Sequence, residues 1–172
     1  MSSIVFHQHE SAFIGGPPNF RNPHKPVIPM DILREEVTAS ALRFEDVRVG
    51  QHYETSEIYT SAILGAFARL SGDYSPIHVD PDAAAEHGFS GRLVYGFLMA
   101  SLLSQIVGKR FRSAVCVSVS IDFVNPVLLG DEVQASTDVV QVQKALRSVV
   151  LSVRFTRGGE IVSRGKLIVQ FL

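Results

Sequence analysis

The chain has 172 residues, 46% of them hydrophobic, and a formal net charge of −1. That suits one globular domain with a core of its own and excludes bulk attraction to nucleic acid or an anionic membrane. The single cysteine, Cys116, excludes an internal disulfide and cysteine-built zinc, and its place in an alternating strand pattern reads as a small buried hydrophobe in a reducing compartment.

The first ten residues, Met1 to Glu10, have neither a basic start nor a sustained apolar run, so no signal peptide is expected and the cytoplasm is the expected location. Residues 11–30 contain Gly15-Gly16-Pro17-Pro18, then Pro23, Pro26 and Pro29, with no apolar period. Residues 1–41 therefore read as an irregular Pro/Gly-rich arm, and the compact domain as 42–172. His7, His9 and His24 fall in this arm without ligand spacing, and no metal is expected there.

Tyr53 to Tyr59 reads as a first strand, with Thr60 or Ser61 as the N-cap of the next segment. Ala62, Ile63, Ala66, Phe67 and Leu70 follow helical spacing on one stripe. Pro76 fixes its own φ and biases Ser75 away from helix, so this helix must end near Gly72. Asp73 and His78 are thereby held on a short, stiff connection. Pro81 to His87 predicts a second short helix with Gly88 past its end.

Leu93 to Gly108 carries no charge, and a helix from Tyr95 to Gly108 would be apolar on every face. It is shorter than the roughly 20 residues of a membrane span and contains Ser101, Ser104 and Gln105, so a buried helix is expected. From Ala114 the period changes to two. Val115, Val117, Val119, Ile121 and Phe123 alternate with Cys116, Ser118, Ser120 and Asp122, which predicts a half-buried strand ended by Asn125-Pro126. Glu132 to Lys144 predicts another strand with a bulge at Val139-Val140, Val149 to Phe155 a third, and Ile161 to Phe171 a fourth after a Gly158-Gly159 turn.

One strand, a block of helices and then an antiparallel meander give an α+β domain, with a strongly curved sheet wrapped around the central apolar helix. Because that helix needs cover on all sides and no internal repeat exists, a second copy of the chain is expected to complete it, as a homodimer.

Phe67, Leu70, Ser71, Gly72, Asp73, Pro76, Ile77, His78 and Ala84 fill a long spaced pattern. In it the chain resembles the hotdog-fold family of (R)-specific enoyl-CoA hydratases, the MaoC-like dehydratases. The likeness runs over about residues 44–172, through Phe44-Glu45-Asp46-Val47, Asn125-Pro126-Val127 and Gly130-Asp131-Glu132-Val133. Two positions depart from the family pattern. Ser75 stands where Asn is usual, and Tyr95-Gly96-Phe97-Leu98 has tyrosine where histidine is usual.

The resemblance implies a single hotdog domain and a hydro-lyase of fatty acid metabolism. Such an enzyme adds water to a trans-2-enoyl thioester or removes it from the (R)-3-hydroxyacyl product. It implies that Asp73 and His78 hold one water between them and that the Gly96 N–H, at a helix N-terminus, is the oxyanion donor. Ser75 lacks the amide donor of Asn, and Tyr95 places a phenol beside that N–H, to shape the pocket, to bind substrate or simply to pack. Ser104 lies two helical turns beyond Gly96, where it could orient the Asp73 loop or satisfy its own helix backbone. Lys109, Arg110 and Arg112 could meet CoA phosphates or acidic carrier-protein residues, or simply complement a helix C-terminus.

No metal or other cofactor is expected; an acyl-CoA or acyl-carrier-protein thioester is the expected partner, with neither nucleic acid nor membrane. The alternatives within the fold are an acyl-CoA thioesterase and a non-catalytic acyl-binding subunit of a heteromeric dehydratase.

Overall fold

The computed structural model describes residues 41–172. All of the arm but Ala41 lies outside the described residues, with His7, His9 and His24. Near the start of the described residues, the Leu42 N–H donates to the Arg110 carbonyl at 2.8 Å and its carbonyl accepts from the Arg112 N–H at 2.9 Å.

After a 3-10 turn at Phe44–Asp46 come strand β1 (His52–Ile58) and helix α1 (Ser61–Ser71). The Thr60 hydroxyl accepts the Ile63 N–H at 3.3 Å, as an N-cap should, and Gly72 ends α1 in the left-handed region at φ 74°. A one-turn helix α2 (Pro76–Val79) precedes α3 (Pro81–Glu86), which the Asp80 carboxylate caps. The sequence pattern does not anticipate α2: four residues are too few to show a period, and Pro76 supplies the pre-set φ of its first turn instead. The central helix α4 runs Gly96–Arg110, two residues past Gly108, and buries Met99, Leu102, Leu103, Ile106 and Val107.

Strands β2 (Ala114–Phe123), β3 (Glu132–Gln143), β4 (Ser148–Arg157) and β5 (Glu160–Phe171) join β1 in one antiparallel sheet of order β1-β3-β4-β5-β2. Only β3-β4-β5 is a meander; β2 crosses to the far side and pairs with β5, so the expected continuous meander is corrected. The bulge expected at Val139-Val140 is present, as a register shift between Val139 and Gln141.

β2 also corrects the expectation of a half-buried strand. Val115, Val117 and Val119 are 41, 51 and 57% exposed, because β2 is an edge strand with no neighbour on its outer side among the described residues. A register shift between Cys116 and Ser118 breaks the strict alternation there, and Cys116 is exposed rather than buried.

The core lies between the inner face of the sheet and α4. Leu151, Val153, Phe155, Leu167 and Val169 come from the two middle strands, and each is at most 1% exposed. Each such side chain contributes about 1.5–3 kcal/mol by leaving water. One polar atom breaks the pattern: the Tyr59 hydroxyl is buried without a hydrogen-bond partner among the described residues, and burial pushes its ionisation far above the ordinary phenol value. Tyr59→Phe removes an unsatisfied donor and leaves the ring packing intact. It is expected to hold or raise stability by about 1 kcal/mol, read from urea midpoints; a loss above that size would mean the hydroxyl has a partner in solution.

Candidate active site

A cavity of about 610 Å³ opens where the α1–α2 loop meets the N-terminus of α4 and the Phe123-to-Val127 stretch, and Asp73, His78 and Gly96 all line it. Three expected residues, up to 23 positions apart in the chain, therefore face one space.

The loop is held by its own short-range bonds. The Ser71 hydroxyl donates to the Phe67 carbonyl at 2.8 Å and accepts from the Asp73 N–H at 3.2 Å. One Asp73 carboxylate oxygen accepts from the Ser75 N–H at 3.0 Å. That backbone bond, then the Ser75 side chain and the charge of nearby His78, hold the Asp73 carboxyl below its usual range, against a small opposing effect of desolvation. Asp73 is exposed and ionised at neutral pH. The larger of the two effects from position 75 comes from main chain, and that bond serine makes as well as asparagine would.

His78 sits on α2 and is half-buried. Its Nδ1 lies 2.9 Å from the Leu93 carbonyl, which can only accept, so Nδ1 carries the proton and the Nε2 lone pair is free in the neutral ring. Leu93 also gives its N–H to the Ile77 carbonyl at 2.9 Å. One residue thus clamps α2 through both its N–H and its carbonyl. Sequence reasoning missed Leu93, since a backbone acceptor leaves no signature in residue type.

Tyr95 gathers the site together. Its hydroxyl donates to the Asp73 carbonyl at 3.0 Å, and its ring stacks on the His78 imidazole at 3.9 Å between centroids and 28° between planes. On the other side it meets Phe67 at 5.0 Å. Only 3% exposed, it keeps its proton, because burial first and the Asp73 charge second raise its ionisation above the ordinary phenol value. The position read as pocket wall, substrate donor or packing is a brace between the loop and α2.

Gly96 is the first residue of α4, and no side chain caps that helix. First-turn N–H groups have no partner within their own helix and carry the positive end of its dipole. A side chain at Gly96 would collide with Phe123: a Cβ there would lie 2.8 Å from the ring's Cζ. Glycine is the residue that lets ring and helix end touch.

A family model described as the MaoC like domain matches residues 44–157. The chain belongs to the MaoC-like family. Among curated members it is 34% identical over 129 residues to an (R)-specific enoyl-CoA hydratase of Aeromonas caviae, covering 73% of this chain and 96% of that one. It is 33% identical over 132 residues to a 3-hydroxybutyryl-CoA dehydratase of Methylorubrum extorquens, covering 75% and 83%. Among solved structures, an (R)-hydratase from A. caviae superposes with a TM-score of 0.72 at 32% identity, covering 74% of this chain and 99% of that one. The hotdog architecture expected of the sequence is thus the observed one, an antiparallel sheet around a central helix.

Of the remaining expected residues of this MaoC-like chain, Ser104 stands apart. It lines a second cavity between α4, β2 and β5, and among the described residues no hydrogen bond joins it to the Asp73 loop. Helical spacing did put Ser104 near the Gly96 face, but the loop approaches α4 from its N-terminal end. Lys109 and Arg110 close the last turn of α4, where they complement its negative end. Among the described residues no helix is long and apolar enough to cross a membrane.

Proposed function

We propose that this chain is an (R)-specific enoyl-thioester hydratase, equally a 3-hydroxyacyl-thioester dehydratase, acting on acyl-CoA or acyl-carrier-protein substrates. The observation that carries the proposal is the convergence of Asp73, of His78 with its Nδ1 held by the Leu93 carbonyl, and of the N-terminal turn of α4 on one cavity. In the hydration direction a water held by Asp73 and His78 forms its O–C3 bond while giving one proton to Nε2. The electrons of the double bond move to the thioester oxygen, which the Gly96 N–H receives. Collapse of that enolate takes the proton back from Nε2 to C2. Asp73, ionised throughout, stabilises the imidazolium between the two steps. Tyr95 and the Ser75 N–H serve as positioning groups, and the chemistry asks for no metal or redox group.

A homodimer is part of the same proposal. Its support is the apolar strand β2, at the edge of the sheet among the described residues, with Val115, Val117 and Val119 exposed beside Phe97 at 81% exposure on α4. A chain of 18.8 kDa should then scatter light at twice that mass.

The test mixes the protein with crotonyl-CoA and follows the enoyl absorbance. Loss of absorbance without release of free thiol is the expected result. Thiol release would make the protein a thioesterase, and no change with enoyl thioesters of any length would overturn the proposal.

A further inference from the structure

The cavity that holds Asp73 and His78 has a neighbour. A second space of about 480 Å³ lies between α4 and strands β2 and β5, and it is lined by Ala100, Leu103, Val119 and Leu167, with only the Ser104 hydroxyl and the Cys116 thiol as polar groups. No charged side chain faces it. Two residues, Phe97 and Phe123, line both cavities and form the partition between them.

The two partition rings are unlike. Phe97 projects from α4 and is 81% exposed, whereas Phe123 is the last residue of β2 and lies against Gly96, its ring Cζ 2.8 Å from where a Cβ would sit. Phe123 therefore touches the helix end assigned to the thioester oxygen and walls the apolar space beyond it. Its ring is 51% exposed and, among the described residues, is held by no polar contact. A change of χ1 to another staggered rotamer would swing it out of the partition.

We infer that Phe123 is the residue that sets acyl chain length in this enzyme. With the ring in place the site cavity takes a short acyl group, its carbonyl at Gly96 and its tail stopped by the partition. A longer tail must displace Phe123 and run between α4 and the sheet toward Leu103 and Ser104, an apolar path that rewards each methylene it buries. Substrate class is thereby narrowed to short enoyl thioesters as the favoured group and longer ones as a penalised group. The inference rests on the hydratase reading above.

The experiment measures kcat/KM of the full chain for crotonyl-CoA, trans-2-octenoyl-CoA and trans-2-dodecenoyl-CoA. In the natural protein kcat/KM should fall with length. In Phe123→Ala the ratio of dodecenoyl to crotonyl values should rise about tenfold or more, since a few methylenes in an apolar pocket carry discrimination of that order. Adding Ala100→Leu, which fills the second space without touching the first, should take the gain back for the dodecenoyl substrate and leave the crotonyl value unchanged. Should Phe123→Ala fold poorly, Phe123→Leu gives the same comparison with a smaller step. Turnover by the natural protein with a length profile that Phe123→Ala leaves unaltered overturns the inference, as does a gain that Ala100→Leu does not reverse. No turnover at any length instead overturns the hydratase reading itself.

Discussion

His78→Asn should lower kcat/KM for crotonyl-CoA hydration about 10³-fold while the protein stays folded. The substitution separates the two nitrogens of the ring. An asparagine amide can place its N–H₂ near the position of Nδ1 and keep the bond to the Leu93 carbonyl, now 2.9 Å long, so α2 remains clamped. What it lacks is any atom at Nε2, the ring nitrogen left over when Nδ1 is taken by Leu93 in a residue that lines the cavity. The lost stack on Tyr95 costs about 1 kcal/mol, a small fall in Tm that circular dichroism resolves from unfolding. A rate loss below tenfold would show that Nε2 does not carry the proton, and the mechanism would have to be rebuilt on Asp73 alone.

Gly165→Ala should destabilise the fold by about 3 kcal/mol or more, seen as a Tm lower by roughly 10 °C. Gly165 is in the middle of β5, paired with Ile121 of β2 and Val153 of β4. A Cβ there would lie 2.0 Å from the Ser120 carbonyl oxygen and 3.0 Å from the Ile121 Cα. Both obstacles are backbone, so no side chain can step aside; the two strands must part. The control is Gly108→Ala on α4, where a Cβ meets nothing within 4 Å. There alanine should gain about 0.5–1 kcal/mol by restricting the unfolded chain and suiting the helix. Equal behaviour of the two variants would refute the close passage of β2 over β5. Activity should fall with Gly165→Ala as well, because β2 delivers Phe123 to the site.

What the sequence could say about this fold was local. The Thr60 cap, the left-handed Gly72, the bulge near Val140 and the Gly158-Gly159 turn each follow from a residue's own conformational limits, and each is where the pattern put it. The place of β2 was not legible, since alternation marks a strand without saying which neighbour it pairs with or what covers its faces. Cys116 was misread for the same reason: a strand at the sheet edge can turn an apolar residue toward an uncovered side. Asp73, His78 and Gly96 were legible through their spaced pattern, and the cavity does gather them. The brace by Tyr95 was not, because a hydroxyl-to-carbonyl bond across 22 positions depends on the whole path of the chain between them. Ser104 makes no bond to the Asp73 loop among the described residues, because a helix face defines a direction and the loop comes from another.

The clamp on α2 uses the amide hydrogen and the oxygen of Leu93, and nothing of its isobutyl group. Exchange of that leucine for almost any other amino acid would leave the imidazole aimed as before. Proline alone is forbidden, for it would strip out the hydrogen that Ile77 receives. The surface around residue 93 is therefore free to change its chemistry, and with it the substrates it greets, while the proton-carrying group behind it keeps its bearing.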